Sequence, residues 1–124
     1  MDQNRTEAEV TAGLRSLELY AIETSPARSD RTRAVLPDHI RHQIELEQRG
    51  ILFSAGPLFE EGSDIPVAGL IVIRAQDFEE ARAIADSDPF HAQGIRSYTI
   101  RKWVVNEGSF QQTIRLSNQS VVFS

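Results

Sequence analysis

The chain of 124 residues has no cysteine. That absence excludes disulfides, zinc–thiolate centres and a thiol nucleophile, and leaves histidines, carboxylates and hydroxyls to carry any chemistry. An excess of positive charge is also missing. Thirteen Lys and Arg against 18 Asp and Glu give a formal charge of −5, the wrong sign for a protein that lives on phosphate backbones, so no nucleic-acid partner is expected. No apolar run approaches the ~18 residues of a membrane-crossing helix, and the start, MDQNRTEAEVTAG, lacks the apolar core of a signal peptide. The expected setting is cytoplasmic, without a membrane partner. With 40% hydrophobic and 25% charged residues, the composition is that of an ordinary globular protein. A chain of this length is one domain, able to bury about two thirds of the surface its unfolded form exposes.

Residues 1–13 are polar, show no period that would bury a face, and read as an extension. A domain is expected over residues 14–106 and a C-terminal extension, read as a β-hairpin around Ser117 and Asn118, over 107–124. Within the domain, Leu17, Leu19 and Ala21 alternate with Glu18, Tyr20 and Ile22, the period of a strand. TSPARSDRTR reads as a loop with about one helical turn. Pro37 is placed at the first helical position of LPDHIRHQIELEQRG, with Gly50 as its left-handed stop. ILFSAGPLF and PVAGLIVIRA are two apolar runs separated by the acidic, glycine-containing EEGSDI, and should pair as a hairpin. Asp77 and Glu80 have capping-box spacing, and Phe78, Ala81 and Ala85 then recur at helical intervals. IRSYTIRKWVV is a fourth strand, with Tyr98, Ile100 and Val104 opposing Ile95, Trp103 and Val105.

The order strand, helix, strand, strand, helix, strand predicts an α+β fold, a ferredoxin-like βαββαβ antiparallel sheet with two helices on one face. Ile71 and Ile73 oppose Leu70 and Val72 on one strand, so the sheet has a second apolar face to cover. A second copy of the chain is the simplest cover, with the C-terminal hairpin as a further one.

In DSDPFHAQGI, Asp88 fits a helix cap ahead of Pro89, with Gly94 ending a short helix, and capping alone accounts for it. If the preceding helix persists, Asp88 also falls within about 20° of Ala81's direction and faces inward. On the first helix, Leu36, Ile40 and Ile44 mark one flank of an inward arc and Val35 and Leu46 the other, with His39 and Gln43 between them. A partly buried imidazole there needs partners for its ring nitrogens, from backbone in a structural role or from an acid in a functional one. His42 lies towards the outer edge, near Arg49, and reads as solvated. His39, His42, His91 and Asp88 are admissible ligand types, but their spacing does not make a metal site, and neither metal nor cofactor is expected.

LPDHIRHQIELEQRGILFSAGPL, GLIVIRAQDFEEARAIADSDPFHAQGI and the closing IRKW together resemble the YciI-like (YCII-related) family of small bacterial proteins, over about Leu17 to Trp103. The resemblance implies a ferredoxin-like domain that dimerises as an α+β barrel, with a His–Asp pair in a cleft. The family histidine falls on His39 and the aspartate on Asp88. A dehydrochlorinase of aromatic degradation is among the members, and muconolactone isomerases share a similar fold. The extensions at both ends depart from the family's short form.

Two functions are therefore expected. In the first, His39 is a general acid or base and Asp88 holds its tautomer, in a lyase or isomerase acting on a cyclic or aromatic-derived small molecule. In the second, the chain is a ligand-binding or accessory module and the pair is structural. Ser54 is a candidate substrate contact, against an ordinary strand hydroxyl. Tyr20, Phe90 and Trp103 are candidate pocket walls, against core packing. The first function requires an open cavity beside His39.

Overall fold

The computed structural model describes residues 17–26 and 30–123. The extension expected over residues 1–13 lies outside them. The elements are β1 (Leu17–Pro26), α1 (Thr32–Gln48), β2 (Leu52–Phe59), β3 (Pro66–Ile73), α2 (Phe78–Asp86), α3 (Pro89–Ala92), β4 (Arg96–Val105), β5 (Gln112–Arg115) and β6 (Ser120–Phe123). The chain divides into two units, one of residues 18–104 and one whose described part is Leu17 together with residues 105–123. The first is a mixed α+β unit built on a four-stranded sheet of order β2-β3-β1-β4, with β3 antiparallel to both β1 and β2. In the second, β5 and β6 pair antiparallel, Gln112 opposite Phe123 and Arg115 opposite Ser120, around a turn that contains Ser117 and Asn118.

Tyr20 pairs with Ile73, Ile22 with Ile71 and Thr24 with Gly69, so these six residues share one face of the sheet. Tyr20, Ile22, Ile71 and Ile73 pack there against Ala81 and Ala85 of α2, and this is the main core. The helix starts as its capping spacing predicts: the Asp77 carboxylate accepts from the Glu80 N–H at 2.8 Å. A second cluster joins Val35 of α1, Phe90 of α3 and Ile95. Leu19 and Val72, on the sheet's opposite face, are also buried, so one chain already covers part of the surface assigned above to a partner.

Three boundaries differ from the sequence reading. β1 runs on through Thr24 to Pro26, residues read above as the start of a loop. α1 begins at Thr32, so Pro37 lies inside the helix and not at its start. An interior proline forfeits one helical hydrogen bond. The turn ahead of it is held by Val35, buried against Phe90 and Ile95, and by the Arg31 guanidinium donating to Gln93 Oε1 at 2.6 Å. At the other end Gly50 does stop the helix, with φ +74°. The second helix, for its part, does not persist to Asp88. It ends at Asp86, and Asp88 opens α3 in extended conformation (φ −64°, ψ 127°).

A histidine–aspartate pair beside an apolar cleft

The break between α2 and α3 places Asp88 under α1. Its side chain caps α3, accepting from the Phe90 N–H at 2.9 Å, and Pro89 occupies the first helical position. The other side of the carboxylate meets α1. His39 Nδ1–H donates to it at 2.8 Å to Oδ2 and 3.0 Å to Oδ1, and the Gln43 amide donates at 3.4 Å. Asp88 is 2% exposed. Burial pulls its pKa up. The His39 hydrogen bond, the charge of a protonated His39, the Phe90 N–H and the charge of His91 together outweigh burial and hold it below the ordinary 3.8. The acid therefore stays ionised and fixes the His39 tautomer, leaving Nε2 as the free lone pair of a neutral ring. The imidazole is seated on Phe90, ring centroids 4.6 Å apart.

His39 lines a cleft of about 410 Å³ between α1 and the strands β2 and β3. Leu36, Ile40 and Ile44, half exposed, are its α1 wall. The apolar arc expected to face a core thus faces a cavity instead. Thr24, Gln43, Glu47 and Arg96 add polar groups to the lining. Thr24 is buried and its hydroxyl lies 2.9 Å from His91 Nε2, while His91 Nδ1–H donates to the Ala85 carbonyl at 2.7 Å. A neutral His91 therefore accepts the Thr24 proton, and the Thr24 oxygen keeps its lone pairs.

The sequence candidates separate clearly. His39 and Asp88 are brought together. Tyr20 is a core residue, edge-on to Phe78 at 5.0 Å, and does not line the cleft. Phe90, fully buried, supports the His39 ring from beneath rather than forming the cleft wall. Ser54 is corrected by a β-bulge: the register steps from Leu52↔Ile73 to Ser54↔Val72, so Phe53 is the extra residue. An unbroken ladder would pair Ser54 with Ile71, on the face of the cleft. The bulge instead sends Ser54 to the opposite face and brings Ala55 into the lining. Trp103 is exposed and likewise absent from the lining. His42 is half-buried, not solvated, and donates from Nε2 to Ser87 Oγ at 3.2 Å, since the Ser87 proton goes to the Ile84 carbonyl. The three histidines thus serve three different partners, and among the described residues no group of three or more His, Asp or Glu converges as metal ligands would.

Thr24 and Arg96 escaped the sequence reading. Their signal was the strand period: Thr24 continues Tyr20 and Ile22, and Arg96 precedes Tyr98 and Ile100, each a polar residue on an apolar face.

A small α+β unit with a His–Asp pair set at the wall of an apolar cleft is the class that fold and site define. The chain belongs to the YCII-related domain family, whose pattern it matches over residues 17–104. Among solved structures it is similar to 5-chloro-2-hydroxyhydroquinone dehydrochlorinase from Burkholderia phenoliruptrix, determined in complex with 2,5-dihydroxybenzoquinone. The TM-score is 0.54 at 18% identity, over 68% of this chain and 92% of that one. No curated protein sequence matches. Among the described residues no helix is long and apolar enough to cross a membrane.

Proposed function

We propose that the protein is a small-molecule enzyme of lyase or isomerase type, acting on a cyclic, aromatic-derived substrate through His39 as general base and acid. The observation that carries this reading is a histidine bound through Nδ1 to a buried carboxylate and lining an open cleft. Nε2 removes a proton from the substrate, and the Asp88 charge stabilises the imidazolium that results. Returning the proton elsewhere on the ring completes an isomerisation; expulsion of a leaving group completes an elimination. The likeness to a dehydrochlorinase favours elimination. The element and strand order supports a ferredoxin-like unit, and the family supports a dimeric α+β barrel.

Purified protein incubated with chlorinated hydroxyhydroquinones should release chloride, followed alongside the ring absorbance. His39→Gln and Asp88→Asn should each slow turnover by about 10²- to 10⁴-fold. Both should melt near the wild-type temperature, since Asn caps α3 about as well as Asp. Their combination should be little worse than either alone. The ligand-binding or accessory reading has its own support, because Asp88 is also the α3 cap. No turnover of any such compound would decide for it, whereas full activity in Asp88→Asn would refute the dyad and leave Asp88 as the α3 cap alone.

A further inference from the structure

The polar lining of the cleft is unbalanced. Arg96, the first residue of β4, lays its guanidinium on the Phe90 ring, 4.1 Å from the centroid. Its Nη1 is 3.9 Å from the point where a Cβ on Gly69 would stand, so the absent side chain leaves the cation open to the cleft. Among the described residues no carboxylate forms an ion pair with it. Asp88 attracts it, but that carboxylate already accepts from His39, Phe90 and Gln43. Burial lowers the Arg96 pKa more than Asp88 raises it, as befits a cation short of counter-charge, yet an arginine stays protonated at neutral pH.

Gln43 supplies the second imbalance. Its amide N–H is committed to Asp88, which fixes the orientation of the group, and its Oε1 is buried without a hydrogen-bond partner among the described residues. A buried acceptor left unmatched is costly, so this oxygen is suited to a donor from a ligand. The cleft thus offers a cation in Arg96, two acceptors in Gln43 Oε1 and His39 Nε2, and an apolar wall of Leu36, Ile40 and Ile44; the one carboxylate in its lining, Glu47, is exposed and forms no ion pair with Arg96.

The geometry points to a site for a small hydroxylated ring bearing an anionic oxygen: the oxygen on Arg96, a ring hydroxyl donating to Gln43 Oε1, and the ring against the α1 wall. This deepens the catalytic reading by naming its substrate class, and rests on it only in taking the cleft as the substrate's seat. Carboxylate and enolate supply the same chemistry, and separate probes distinguish them.

Titration calorimetry on the full chain tests the site without any need for turnover. The probes are 2,5-dihydroxybenzoate, 2,5-dihydroxybenzoquinone, benzoate and uncharged hydroquinone. One or both hydroxylated anions should bind at least about tenfold more tightly than hydroquinone, the margin of one charge-assisted hydrogen bond. The stronger of the two identifies the carboxylate or the enolate as the preferred group. Arg96→Gln should erase the margin over hydroquinone, and Gln43→Leu the margin of dihydroxybenzoate over benzoate. Should Arg96→Gln fail to fold, Arg96→Lys and the wild-type comparison still decide. Hydroquinone binding as tightly as both anions, a margin that survives Arg96→Gln, or no binding of any probe overturns the site. His39→Gln separates the two ideas: turnover lost with the margin intact supports both, while turnover in a wild type without anion preference leaves the acid/base reading and overturns this one.

Discussion

Asp88 shows how one side chain holds two positions at once. Its carboxylate closes the first turn of α3 and holds the His39 ring, Oδ1 accepting from both the Phe90 N–H and His39 while Oδ2 takes the shorter bond from His39. An acid held this way makes stability depend on pH with a definite sign. The folded pKa lies below the ordinary 3.8, so the native state binds fewer protons than the unfolded one in that region. The stabilisation is therefore complete above the unfolded value and is lost as pH falls through the folded one. Chemical denaturation between about pH 6 and pH 3 should show the wild type losing stability faster than Asp88→Asn. Parallel curves would mean that the carboxylate is not held in its charged form.

At the level of elements, β1 and β3 pair closely beside the cleft where one residue has no side chain. A Cβ on Gly69 would stand 2.9 Å from the Thr24 methyl, closer than real contacts allow. Thr24 cannot simply turn aside, because it is buried and its hydroxyl is bound to His91. Gly69→Ala should therefore destabilise the protein by about 1–3 kcal/mol, the usual cost of overpacking. Thr24→Ser removes the obstructing methyl and keeps the hydroxyl. The double substitution should melt above Gly69→Ala alone, and a double mutant no more stable than that single one would place the strain elsewhere. The same scale explains α1. Its Leu36, Ile40 and Ile44 stripe has the period of a core-facing helix, but a cavity lies opposite, so a core pattern forms a binding wall.

For the whole molecule, the apolar surface left on the described residues is the reason to expect association. Leu17, Phe53 and Trp103 are each about two fifths exposed, although Leu19 and Val72 are covered within the chain. We expect a homodimer, the assembly that the family resemblance implies. Light scattering at micromolar concentration should return about twice the 13.9 kDa chain mass. A stable monomer would mean that this surface serves another purpose.

The sequence by itself determined what depends on period and on local hydrogen bonding. The strand alternation of Leu19 and Ala21 with Tyr20 and Ile22, the Asp77 cap, the Gly50 stop and the Asp88–Pro89 opening are legible because each is settled within a few residues. The family resemblance then joined His39 to Asp88, 49 positions apart, which no local pattern could do. Only the tertiary structure decided the rest. Packing of Val35 carries α1 back past Pro37, one bulged residue turns Ser54 away and Ala55 inward, and a register pair sets Gly69 against Thr24. Whether an apolar stripe meets a core or a cavity depends on what the opposite element lacks. That is a property of two segments in space, and neither segment encodes it alone.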